Sequence, residues 1–235
     1  MKSLVQMCLQ GMMVFLLTGG SLTGQETAFV KAELVTLSWK GKIANLWYET
    51  KEGPRTLDVY ERGFTAAESY IGPKELKFYP DRSALDLSPE KRPEPVASAV
   101  LPAGGGEFLL IFVERINPAG SWKVEVMDNS VSNLPEGGYR VVNLTKDSYN
   151  AYFDREAVAV KASGITVVRP AKRDSVRDLP IQIMKGKQLV YSSIWGHRET
   201  QRATVFLMPA SPGAQFLTIR RYFQPVVERE TAGNP

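Results

Sequence analysis

Glu107-Phe-Leu-Leu-Ile-Phe-Val-Glu114 sets six consecutive apolar residues between two glutamates. A strand with one wet face alternates apolar and polar residues, whereas an unbroken apolar run needs cover on both sides. The segment is therefore expected to be a central core strand, or to lie beneath a contact between domains. The flanking glutamates act as charged gatekeepers on an otherwise aggregation-prone stretch.

Outward from this run the chain reads mainly with period two. Val35, Leu37 and Trp39 share one face, with Thr36 and Ser38 on the other. Leu57 and Val59, Leu76 and Phe78, and Trp122, Val124 and Val126 repeat the pattern. These are expected to be half-buried strands with one solvated face. Further strands are expected over 138–145, 157–161, 164–169, 179–184, 188–195, 202–208 and 216–223. Turn chemistry separates them at Lys51-Glu-Gly-Pro54, Asn117-Pro-Ala-Gly120, Pro135-Glu-Gly-Gly138, Lys185-Gly-Lys187 and Ser211-Pro-Gly213. Gly104-Gly-Gly106 reads as a hairpin turn, since no Lys-Ser/Thr or helix follows as a phosphate loop requires. The polar, proline-bearing segment from Asp81 to Pro95 reads as a long loop. No amphipathic helix of ordinary length stands out. The fold class expected is all-β, with one or two antiparallel Ig-like β-sandwich domains after an N-terminal signal segment. The division expected is a signal peptide over 1–24, sandwiches over 25–117 and 118–225, and a disordered tail over 226–235.

The N-terminus carries Lys2, then an uncharged apolar stretch from Leu4 to Gly20, then Ser21-Leu-Thr-Gly-Gln25. That order is the pattern of a secretory signal peptide. Gln6, Gln10 and Gly11 interrupt the run, which is shorter than the roughly 20 apolar residues of a membrane-spanning helix. Export to the periplasm or exterior is expected, with an uncleaved, tethering segment as the alternative. Cys8 is the only cysteine and lies inside this stretch. Its removal leaves no thiol for a disulfide, a CxxC pair or a cysteine nucleophile, so stability must come from a hydrophobic core. His197 is the only histidine. No cofactor or metal site is expected from this composition.

The net charge of +4 is unevenly spread. Residues 25–135 carry 13 Lys and Arg against 16 Asp and Glu, whereas residues 136–225 carry 14 against 7. The basic half includes the pairs Lys172-Arg173 and Arg220-Arg221. This excess favours a solvated surface or weak attraction to an anionic one, such as headgroups, a wall polymer or another protein. Nucleic acid is not an expected partner.

The stretch Asp128-Asn-Ser-Val-Ser-Asn-Leu-Pro-Glu-Gly-Gly-Tyr-Arg-Val-Val-Asn-Leu-Thr145 resembles a motif of uncharacterised exported bacterial β-sandwich proteins. The resemblance covers roughly residues 102–223 and implies a secreted or periplasmic sandwich without implying an activity. A fainter likeness, over Leu101-Pro-Ala-Gly-Gly-Gly-Glu-Phe-Leu-Leu-Ile-Phe-Val-Glu-Arg-Ile-Asn-Pro118, is to periplasmic pilus chaperones. Where those proteins continue with a basic strand, this chain has Ser121-Trp-Lys-Val-Glu-Val-Met-Asp128.

Four residues are candidates for a ligand site: Tyr149, Tyr152, Trp47 and His197. The aromatic rings offer flat faces for stacking on a sugar, against the simpler reading of core and edge packing. His197, in Trp195-Gly-His-Arg-Glu-Thr200, reads as a loop residue. As a general base it would be oriented by Glu199, although no nucleophile motif accompanies it. Asn143-Leu-Thr145 is a formal glycosylation sequon inside an expected strand, and is discounted. The function expected is a non-enzymatic binding or structural protein of the cell envelope, with an envelope protein or glycan as partner. A carbohydrate-binding accessory module, a chaperone-like assembly protein and a hydrolase using His197 are the alternatives.

Overall fold

A computed structural model, describing residues 29–174, 176–211 and 214–225, places the unalternated run in β7 (Gly106–Glu114). The expected signal segment and the expected tail lie outside the described residues. Both faces of β7 are covered. Phe108, Leu110 and Phe112 enter one apolar cluster, and Leu109 and Ile111 enter another. The strand is central in its sheet and also lies beneath the contact between two halves of the molecule, so both expectations for it hold.

The first half is built on a six-stranded sheet with β1 (Phe29–Ser38), β4 (Glu68–Pro73), β5 (Glu75–Phe78), β6 (Ala97–Val100), β7 and β8 (Trp122–Asp128). Its order is β4-β1-β7-β8-β6-β5. The hairpin of β2 (Ile43–Thr50) and β3 (Gly53–Val59) covers one face, where Ile43, Leu46, Tyr48, Leu57 and Val59 pack on Val30, Leu34, Phe78 and Phe112. The polar segment 81–95 carries two short 3-10 turns, Arg82–Asp86 and Pro89–Lys91.

The second half is a sandwich of two four-stranded sheets. One contains β9 (Tyr139–Asn143), β12 (Ile165–Val168), β15 (Gln201–Pro209) and β16 (Leu217–Pro225), ordered β12-β9-β15-β16. The other contains β10 (Tyr149–Phe153), β11 (Glu156–Val160), β13 (Val176–Lys185) and β14 (Gln188–Arg198), ordered β11-β10-β13-β14. Tyr139, Val141, Ala151, Phe153, Leu179, Ile181, Trp195, Val205 and Leu207 fill the space between them.

The all-β sandwich architecture is as expected, with four differences in detail. Pairing is mixed, because β1 with β7, β6 with β8, and β9 with β15 run parallel. The turn at Asn117–Gly120 joins β7 to β8 within one antiparallel pair, so the change from one half to the other falls between Asp128 and Tyr139, not at residues 117–118. A proline-glycine turn has the same local chemistry in a hairpin as in a linker. The Gly104–Gly106 turn makes no hairpin, since β6 pairs with β5 and β8 and not with β7. Finally, the face of β1 that carries Thr36 and Ser38 is dry: both residues are buried. The Thr36 amide and hydroxyl meet the Thr65 hydroxyl at 2.9 and 3.3 Å, and the Ser38 hydroxyl donates to the Lys40 carbonyl at 3.1 Å. Locally bonded hydroxyls let a polar-looking face enter the interior.

The outward face of β1 and β7 packs against the outward face of the β9-β15-β16 sheet. Val35, Leu37, Leu109 and Ile111 meet Val142, Phe206 and Tyr222, with Trp39, Phe64, Val113 and Met127 around them. Trp39 and Phe206 pack edge to face at 5.1 Å, Phe206 and Tyr222 at 5.9 Å, and Tyr222 and Phe64 tilt together at 5.7 Å. Hairpin, sheet, sheet and sheet thus form four layers with three apolar interfaces.

The parallel register of β1 and β7 depends on a close approach at Gly105. Its φ is +66°, and a Cβ there would lie 2.1 Å from the Lys31 carbonyl oxygen of β1. A left-handed conformation and a backbone contact both require glycine. Gly105→Ala is expected to destabilise by ~2 kcal/mol or more. Gly104→Ala, which meets nothing within 4 Å, should stay within ~0.5 kcal/mol of wild type. Urea unfolding midpoints of the two variants check this.

Candidate functional site

The four residues singled out in the sequence do not converge. Tyr149 and Tyr152 point to opposite faces of β10. Tyr149 is buried with its hydroxyl 3.1 Å from Thr145 Oγ1, and Tyr152 is exposed. Trp47 is half-buried in the other half of the molecule, packed on Tyr79, Ala84 and Leu85. Asn143, of the sequon, is buried, with its amide nitrogen donating to the Asp147 and Lys161 carbonyls at 2.7 and 2.9 Å.

His197 lies in β14 and is buried, where a loop position was expected. The Gly196 and Arg-Glu neighbours look like a turn, but alternation carries through them and turns His197 inward beside Trp195. The imidazole joins a closed chain. Its Nδ1 is 2.9 Å from the Tyr139 hydroxyl, and its Nε2 is 3.1 Å from Glu199 Oε1. A carboxylate only accepts, so a neutral ring here carries its proton on Nε2 and accepts the Tyr139 hydroxyl at Nδ1. Burial pushes the Tyr139 phenol up to about 12, against the opposing influence of Arg221 and Arg177, so the phenol stays protonated and donates. The Pro135-Glu-Gly-Gly138 turn closes over the chain. Gly137 has φ +67°, and a Cβ there would lie 2.6 Å from Glu199 Oε2. The expected Glu199–His197 pairing is present, but every ring nitrogen is used and the ring is enclosed. The network orients and seals one end of the sandwich.

A second buried polar group lies at the contact between the halves. Arg140 donates to the Asn129 side chain at 3.4 Å and to the Asp128 carbonyl. Arg202 donates to the Leu134 carbonyl at 3.3 Å and lies 3.7 Å from Glu107. Burial, with Arg202 nearby, lowers the Arg140 guanidinium to about 10, so it remains charged at neutral pH. These contacts tie β7, β8, β9 and β15 together.

The open groups lie at the other end of that contact. A cleft of about 350 Å³ is lined by Glu61, Arg62, Arg220, Arg221 and Tyr222. Arg220 donates to the Trp39 carbonyl at 2.9 Å, with its guanidinium 4.9 Å from the centre of that indole. Arg221 lies 4.5 Å from the centre of the Trp195 ring and 5.8 Å from Phe223. Stacking on aromatic faces fixes guanidinium planes without neutralising them. Glu61 is the one acidic group in the lining among the described residues, and its carboxylate already accepts the Gly41 amide at 3.0 Å. Arg62 is exposed and makes no hydrogen bond or ion pair among the described residues. Three guanidiniums against one engaged carboxylate make a cleft suited to an anion. Among the described residues no group of three His, Cys, Asp or Glu side chains could hold a metal ion. Arg220-Arg221 is visible in the sequence as a basic pair, whereas Arg62 has no local signal to link it to them.

No protein-family model matches the chain, and no curated protein matches it significantly.

The buried chain has a measurable consequence. An unfolded tyrosine titrates near ~10, below the value of about 12 for folded Tyr139. Between those values the unfolded chain releases its proton first, so stability falls as pH rises. Tyr139→Phe removes this contribution but loses the bond to Nδ1, a cost of about 1–3 kcal/mol at neutral pH. The stability gap between wild type and Tyr139→Phe is expected to narrow steadily from pH 10 to 12, as read by urea unfolding at each pH.

Proposed function

We propose that the chain is an exported, non-enzymatic binding protein of the cell envelope that engages an anionic partner through the arginine cleft. The observation that carries this reading is the convergence of Arg62, Arg220 and Arg221 around one shallow cleft. Two of these arginines are held in place by indoles and a third is free among the described residues. The basic balance of residues 136–225 adds a longer-range attraction of the same sign. The buried Tyr139–His197–Glu199 chain accounts for the lone histidine by packing and hydrogen bonding, without chemistry. A sugar-stacking surface is less well supported, because Tyr149 is buried and Tyr152 stands without a second exposed ring beside it on β10.

Binding of inorganic polyphosphate, followed by the fluorescence of Trp39 and Trp195 beneath the arginines, tests the reading. Arg62→Glu combined with Arg221→Glu is expected to weaken binding at least ~10-fold, about 1.4 kcal/mol, and to reduce its salt dependence. Arg155→Glu combined with Lys187→Glu, an equal charge change in the turns between β10 and β11 and between β13 and β14, should leave it nearly unchanged. Equal losses in both proteins would assign the attraction to overall charge and contradict the cleft.

A further inference from the structure

The cleft touches three successive residues of β16, namely Arg220, Arg221 and Tyr222. Side chains of successive strand residues point to opposite faces. Here Tyr222 enters the contact between the halves, while Arg221 reaches inward over Trp195. A hollow lined by all three therefore runs along the edge of the strand and not along either face. β16 is the outermost strand of its sheet, paired only with β15 among the described residues. Along that edge its backbone makes no hydrogen bond outside β15 among the described residues, and Glu61 and Arg62 also line the hollow. The segment carrying those two residues is itself tied to β1, through Ser38 N to Tyr60 O at 2.9 Å and Thr65 N to Thr36 O at 3.1 Å.

Resting on the anion-binding reading above, we infer that the partner is an extended acidic peptide that adds as a strand to β16, with two adjacent acidic residues opposite Arg220 and Arg221. An open edge offers backbone hydrogen bonds to any extended chain, and the flanking side chains select which one. Directly opposed residues in paired strands share a face. Arg220 and Arg221 occupy opposite faces, so one carboxylate is needed on each face of the incoming strand. Adjacent acidic residues supply this, whereas acids two apart would place both carboxylates on one face. The other long edge, β14, carries Arg198 as its only charged residue. Charge complementarity thus favours β16.

The test is calorimetric titration of the wild-type protein with three octapeptides blocked at both ends and built from threonine, valine and two glutamates. The first has the glutamates adjacent at its centre, the second has them two apart, and the third is the first with alternate backbone nitrogens methylated. Methylation removes strand pairing and keeps the charge, and this comparison uses the wild-type protein throughout, so folding defects cannot intrude in it. Binding of the first peptide is expected, at least threefold weaker for the second and at least tenfold weaker for the third. Arg221→Ser should abolish the preference between the first and second. Equal binding of all three peptides, or binding of polyphosphate and none of the peptides, would overturn strand addition and leave the anion-binding cleft standing. Binding of neither polyphosphate nor any peptide would overturn both.

Discussion

The structure depends on the burial of β7 on both faces. Phe108, Leu110 and Phe112 join the core beneath the β2–β3 hairpin, while Leu109 and Ile111 meet the second half of the molecule. One strand therefore belongs to two apolar interfaces at once. Each buried leucine, isoleucine or phenylalanine side chain contributes roughly 1.5–3 kcal/mol relative to exposure, so uncovering one face of β7 would expose several such groups together. The second half cannot be moved away without that cost. Because the contact is fixed, Arg62 from one half and Arg220 and Arg221 from the other are held around a common cleft.

The contact is graded along its length. At one end Arg140 and Arg202 are buried and bound to carbonyls, Asn129 and Glu107. The middle is apolar and aromatic, and at the other end the arginines emerge to solvent. Buried arginines leave little tolerance for sliding, because a shifted guanidinium would lose its partners without gaining water. The open arginines have the opposite character. Their charge is available, and the aromatic rings beneath them limit the conformational freedom that a ligand would otherwise have to suppress.

What could be read from the sequence follows from which signals are local. The missing alternation of 107–114 is local, and it identified the strand with two covered faces. Turn residues are local too, but they do not reveal what the turn connects, so Asn117–Gly120 looked like a boundary and is a hairpin. Thr36 and Ser38 looked wet because hydroxyls in a strand usually face water, whereas here Thr65 and the Lys40 carbonyl satisfy them. The spacing of His197 and Glu199 pairs them, whereas Tyr139 joins His197 from 58 residues away. The cleft is the least legible feature. It needs the parallel pairing of β9 with β15 and the docking of β1 and β7 on that sheet, both of which are contacts between distant segments.

The two halves form one body because they share β7. Equilibrium unfolding of the full chain in urea, followed by tryptophan fluorescence and by far-ultraviolet circular dichroism, tests it most directly. Trp47 and Trp122 report on the first half and Trp195 on the second. A single transition with the same midpoint by both probes is expected, and single-tryptophan variants of each half should show that midpoint relation as well. Two separate transitions, with Trp195 released while Trp122 remains protected or the reverse, would contradict it.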